Sequence, residues 1–310
     1  MRRLIPLGHV LLLLAWLLQA PARADGVVHL IASDAGGVYG EVATAFLDAY
    51  KSSRQVRTWN LADLDGQRLR ALTAENDLLV PIGLKAATAV AGLPAGQASV
   101  LTLMVPHVSA QRLDASMSLP RRRLSHVHID QPASRTLSLV EVVFPRAKRL
   151  GLILSPENGD AAKAFQQESD RRRLGLKLDW VASPEDVAPA LRDALPEVDV
   201  LLLIPDATAF HAGNARNVLL TTYRYRVPLV GFSQGLSKAG AVAVVYSSPA
   251  QIGRQGGRMA MRWRPESGDL PPPQHADEFT ISFIPYVARS LGIVLPDVDD
   301  VAKKLGASVE

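Results

Sequence analysis

Continuous apolar runs alternate along this chain with stretches in which apolar residues recur at helical spacing. Val27 to Ser33, Asp77 to Ile82, Ser99 to Val105, Leu150 to Leu154 and Leu176 to Val181 read as strands. Val38 to Lys51, Asp63 to Thr73, Leu84 to Val90 and Ala161 to Arg173 read as helices. In the first of these, Val42, Phe46 and Leu47 share one face. Ser183-Pro184-Glu185 has the N-cap and first-turn chemistry of a further helix start. Regular strand–helix alternation with short connections predicts parallel sheets assembled from βαβ units.

Residues 198 to 246 carry the clearest pattern. Val198 to Ile204 is a buried strand ending in Pro205-Asp206, and the segment from Ala212 to Arg226 is a helix. Val227 to Ser233 is a second strand, Gln234 to Gly240 a loop, and Ala241 to Ser247 a third strand. Strands that are apolar throughout are covered by helices on both faces. In such open sheets a ligand sits in the crevice beyond the carboxyl ends of the strands. Polar groups at those ends are therefore the first candidates for function.

Two sheets fit the length, giving an α/β chain of two doubly wound, Rossmann-like lobes joined by a hinge. The expected division is a leader over 1–24, a first lobe over 25–145 and a second lobe over 146–246, with part of 247–310 returning to the first. The connection is expected across 121–145, where a helix at Ser134–Phe144 is stopped by Pro145. Pro271-Pro272-Pro273 marks a second break before a strand at Glu278–Ile284 that returns toward the other lobe.

The amino terminus has the features of a secretory leader. Arg2-Arg3 precedes an apolar stretch from Leu4 to Leu18, and Ala22-Arg23-Ala24 is a cleavage site of A-x-A type. Cleavage expected near Ala24-Asp25 would place the mature chain in an exported compartment, which is the periplasm if the host is Gram-negative. There is no cysteine, which excludes disulfides, thiolate metal sites, a cysteine nucleophile and a lipoprotein anchor. Losing Arg2, Arg3 and Arg23 lowers the formal charge from +4 to +1. No aromatic-interleaved basic stripe remains, so no nucleic-acid partner is expected.

Three chemical motifs occur, each in a context that bears on its reading. Gly231-Phe232-Ser233-Gln234-Gly235 matches the G-x-S-x-G nucleophile elbow, with Asp269 and His275 downstream in triad order. The long packed helix that must follow the serine is missing, so a serine hydrolase is a remote alternative. His126-Val127-His128-Ile129-Asp130 puts three possible metal ligands on one strand face, without further ligands at a typical spacing. Gly36-Gly37 and Gly40 lack the dinucleotide-binding register and suit a cleft loop or an anion-accepting helix start. No metal and no cofactor is expected.

Several segments taken together resemble the ABC transporter substrate-binding protein family that includes the tryptophan/tyrosine-type binding proteins. They are LLVPIGLKAATAV (78–90), IDQPASRTLSLVEVVFPRAKRLGLILSP (129–156), VDVLLLIPDATAF (198–210), the stretch from Arg226 to Arg262, and FTISFIPYVARSLGIVLP (279–296). The stretch 226–262 is the most specific. The Gly-Thr that the family often has after the strand at 78–82 is Gly83-Leu84 here. The resemblance implies a type 1 periplasmic-binding fold, no enzymatic activity, and a small ligand (amino acid or other zwitterion) enclosed between two lobes and delivered to an ABC permease. The alternative of another class is a sensing module of the same fold that docks on a membrane receptor or sensor kinase. Contacts expected from the first lobe are Ser33, Asp34, Gly83, Lys85 and His107. From the second they are Ser155, Asp206, Thr208, Phe210, Ser233, Gln234 and Tyr246. Asp206 would pair with a ligand ammonium, and Phe210 and Tyr246 would wall an apolar group.

Overall fold

The computed structural model describes residues 26–73, 76–94, 96, 98–211 and 213–310; the expected leader lies outside them. Among the described residues, thirteen strands form two sheets. The first contains β1 (Val28–Ala32), β2 (Val56–Asn60), β3 (Leu78–Ile82), β4 (Ser99–Val105), β5 (Leu124–His128) and β11 (Gln274–His275). Its spatial order is β11-β5-β4-β3-β1-β2, and every pair is parallel. The second contains β6 (Arg149–Leu154), β7 (Gly175–Trp180), β8 (Val200–Leu202), β9 (Leu229–Gly231), β10 (Ala243–Tyr246), β12 (Thr280–Phe283) and β13 (Ser308–Val309). Its order is β13-β12-β10-β9-β8-β6-β7, with β12 antiparallel to β10. The series β2-β1-β3-β4-β5 and β7-β6-β8-β9-β10 are the same doubly wound topology, although the sequence has no internal repeat.

Helices cover both sheets: α1 (Gly37–Ala49), α2 (Gly66–Ala71), α3 (Leu84–Ala91), α4 (His107–Ser116), α5 (Ala133–Val143) and α6 (Gly159–Arg172). They are followed by α7 (Val187–Ala194), α8 (Ala215–Arg224), α9 (Gln234–Ala239), α10 (Pro249–Met261), α11 (Pro285–Ser290) and α12 (Val298–Leu305). Ser183 caps the turn before α7 in a capping box with Asp186, as its sequence predicted. Phe46 of α1 and Ile252 and Met259 of α10 share a core with Leu30, Leu101 and Leu103 of the first sheet. Leu137 and Val140 of α5 pack on Leu150, Leu152 and Ile281 of the second.

This packing moves the first crossing. Helix α5 belongs to the second core, so the chain leaves the first lobe at 129–132 and not at 145. It returns through 247–248, where α10 lies against α1, and leaves finally through 276–279. Strand β12 therefore joins the second sheet; α10 and β11 are the part that returns to the first. Polar side chains lace the three crossings together. Gln131 Nε2 donates to Ser247 Oγ (3.0 Å), which donates to the Glu278 carbonyl (2.8 Å). Arg135 donates to Gln131 Oε1 and to the Ala276 carbonyl.

Other boundaries also shift. The expected loop after Ser233 is the short helix α9, because the Ser233 hydroxyl accepts the Leu236 N–H and caps it. Strand β2, helix α4 and the carboxy-terminal α12–β13 were not anticipated. Strand β2 lies at a sheet edge and is largely polar (Val-Arg-Thr-Trp-Asn), so it lacks an apolar run.

Candidate functional site

Strand ends β1, β3 and β4 of one lobe and β6, β8, β9 and β10 of the other carry the expected residues. The structure gives these residues different roles. Ser33 is buried; its hydroxyl donates to the Ile82 carbonyl (2.8 Å) and accepts the Ala86 N–H (3.0 Å). It braces β1 and β3 against the start of α3. Gly83 has φ +88°, and a Cβ there would stand 2.4 Å from the Tyr39 ring. Glycine is required both by that backbone angle and by that ring. Asp34 and Lys85 form an exposed ion pair at 3.4 Å.

Asp206, expected to meet a ligand ammonium, is engaged within its own lobe. Its Oδ2 accepts the Ser155 N–H (2.7 Å), the Ser155 hydroxyl (2.9 Å) and Asn158 Nδ2 (2.7 Å). Its Oδ1 accepts the Thr208 and Ala209 N–H groups at 2.9 and 2.8 Å. Five donors occupy a carboxylate that is buried, and no lone pair is left for a ligand ammonium. Ser155 and the Thr208 N–H are spent in the same knot. Phe210 meets Phe232 edge-on, with ring centroids 5.7 Å apart.

Ser233, Gln234 and Tyr246 are brought together. They line one side of a cavity of about 260 Å³ whose other side comes from the first lobe: Val38 and Glu41 of α1, and Met104 of β4. Sequence reading missed these three, together with Ile129 and Phe232, which also line the cavity. Met104 is the most telling. It has φ +60° at a break in the β4–β5 register between Leu103 and Val105. A bulge of this kind re-aims a side chain, and an unbranched non-glycine residue holds that angle only where its surroundings enforce it.

A second cavity of about 190 Å³ also spans the lobes. His107, Asp130 and His275 line it from the first lobe and crossing, Asp160 and Phe165 from α6. His107 begins a chain of imidazoles: its Nδ1 lies 3.3 Å from His128 Nε2, and the His128 and His126 rings stack at 5.5 Å. His126 Nε2 contacts both Asp114 carboxylate oxygens at 2.9 Å. Burial, reinforced by the three neighbouring imidazoles, holds the His128 pKa down to about 3. Burial also raises the Asp130 carboxyl, against the His107 N–H that it accepts at 2.6 Å. His126 and His128 thus share one face of β5 as their alternation predicted, whereas Asp130 lies beyond the strand in the crossing. Among the described residues, no group of three or more histidine or acidic side chains is placed to hold a metal ion.

The hydrolase constellation does not assemble. Ser233 caps α9, His275 Nδ1 lies 2.9 Å from the Asp130 carbonyl, and Asp269 faces Arg122 at 3.5 Å. The serine is in one lobe, and the histidine pairs within the other sheet.

Comparisons with known proteins agree with this fold. The family described as ABC transporter substrate binding protein matches residues 54–301. No curated protein matches the chain. A Streptococcus pneumonia ABC domain solved in complex with L-Trp superposes with TM-score 0.63 at 17% identity, covering 93% of this chain and 100% of that one. A ligand-free, open substrate-binding protein with adhesive properties from Clostridium difficile gives 0.67 at 14% identity, over 92% and 99% of the two chains. An arabinose-binding protein from Geobacillus stearothermophilus gives 0.52 at 13% identity, over 86% and 99%. At these identities the likeness is one of fold, that of type 1 periplasmic-binding proteins. The family match extends over most of the chain, which belongs to the ABC transporter substrate-binding protein family.

Proposed function

We propose that this protein is exported, captures a small organic solute between its two lobes and presents it to a membrane permease. The observation that carries this reading is the cavity walled by Met104 from one lobe and by Ser233, Gln234 and Tyr246 from the other. A strained backbone at Met104 and a shared interlobe cavity are features of a place built to hold something. Val38 and Leu84 open helices at the same end of the first sheet and remain 49% and 46% exposed. Closure over a ligand would cover such apolar surface, and only contacts made by both lobes can favour the closed state. The leader expected over 1–24 supports export. The L-Trp complex of the pneumococcal neighbour makes amino-acid-sized solutes the first class to test.

Native mass spectrometry of the protein purified from the cells that make it tests this directly. The expected result is one discrete small organic mass that is released on denaturation and is lost in a Val38→Trp variant, whose indole fills the cavity. A bare protein that gains no stability from a library of amino acids, amines and sugars would count against solute capture.

A further inference from the structure

The charges and hydrogen-bond directions around the Met104 cavity say more about its occupant. Glu41 is the one charged side chain among the residues that line it. Val38, Met104, Ile129 and Phe232 supply an apolar body to the same space. Glu310 backs the opposite wall through Gln234 and Tyr246. Strand β13 pairs with β12, and Glu310, which follows it, meets Gln234 and Tyr246. Gln234 Nε2 donates to one Glu310 carboxylate oxygen, and the Tyr246 hydroxyl donates to the other at 2.8 Å. Each residue thereby has a donor committed to Glu310 and keeps an oxygen acceptor, the Gln234 carbonyl and the Tyr246 phenol oxygen. Lys85, at the neighbouring strand end, is already paired with Asp34.

We infer that the cleft takes a ligand bearing a cationic amine on an apolar body, with the ammonium held between Glu41 of one lobe and the Gln234–Tyr246 pair that Glu310 orients in the other; the inference rests on the cleft being a ligand site. Both carboxylates act on Tyr246. Its phenol is raised above the ordinary range by burial first, then by the Glu310 hydrogen bond and the charges of Glu310 and Glu41. Negative potential therefore reaches the cavity wall from both lobes. A bound ammonium would relieve that like-charge opposition and draw the lobes together, whereas a carboxylate would add to it. The hydroxyls of Ser233 and Ser248 accept the Leu236 and Gln251 N–H groups and keep a proton for a neutral polar group of the same ligand.

Two probes of like shape and opposite charge, phenethylamine and 3-phenylpropionate, test this by calorimetric titration of the full chain. The amine is expected to bind more tightly than the acid by about tenfold or more, the worth of one charge-assisted hydrogen bond. Glu41→Gln, an exposed substitution, is expected to remove that advantage without changing the melting temperature of the free protein. Glu310→Gln is expected to weaken the amine as well, because Gln234 and Tyr246 lose their common acceptor. Equal or tighter binding of the acid would overturn the inference, as would full amine affinity in Glu41→Gln. Binding of neither probe would also overturn it, while native mass spectrometry would still decide separately whether the cleft carries a solute.

Discussion

Asp206 and His128 are buried polar residues with opposite consequences for stability. Asp206 collects five donors from 155–158 and 208–209, so it ties the end of β6 to the end of β8. Truncation would leave those donors buried and unanswered. Asp206→Ala is expected to cost about 3–5 kcal/mol in urea unfolding, the usual result of breaking a buried charged network. A loss of ligand affinity with unchanged stability would instead return Asp206 to the site. His128 destabilises the protein in acid. Its folded pKa of about 3 lies below the ordinary 6.5, so between those values the unfolded chain binds a proton that the native protein refuses. Stability should fall by about 1.4 kcal/mol per pH unit below pH 6.5, down to about pH 3. His128→Gln should flatten that slope in melting curves recorded from pH 7 to 4; an unchanged slope would place the acid sensitivity elsewhere. The alternation that puts His126 and His128 on one face is legible in HVHID. The role of Asp206 is not, because its partners Ser155 and Asn158 stand about fifty residues earlier in the chain.

Elements were legible where they are apolar and central. Strands β3, β4 and β6 read correctly to within a residue, because buried parallel strands are continuous apolar runs. The short helix α9 and the edge strand β2 were not legible, since α9 forms through a cap and β2 through pairing with β1. The bulge at Met104 arises from the register of β4 against β5, a relation between segments that no single run of residues displays. The contact of α1 with α10 is similar. A Cβ on Gly253 would meet the Val42 carbonyl oxygen at 2.4 Å, and one on Gly257 the Phe46 carbonyl oxygen at 2.6 Å. The two helices therefore approach backbone to backbone, and α10 could not return to the first lobe with larger residues there. Gly257→Ala should destabilise the protein by about 1–3 kcal/mol in thermal or denaturant unfolding, since the Phe46 backbone has to move. A neutral effect would mean that the helices part freely.

The whole molecule is two lobes of one topology, crossed three times and joined by a polar network at Gln131, Ser247 and Glu278. Two-lobed α/β architecture could be read from strand–helix alternation, and the family from the segments at 78–90 and 226–262. The placing of the crossings could not, because α5 stands between strands of the two sheets and only its packing assigns it to the second core. The candidate site was half visible: Ser233, Gln234 and Tyr246 stand at strand ends, whereas Val38, Glu41 and Met104 join them only through the meeting of the lobes. Solute capture by lobe closure is the central claim, and a chain without cysteine suits a direct measurement. Spin labels on cysteines placed at the exposed positions Lys85 and Ala207, one per lobe, would report the interlobe distance. With the small molecule recovered from the native protein, the distance distribution should shorten and narrow. An identical distribution with and without saturating ligand would contradict the account.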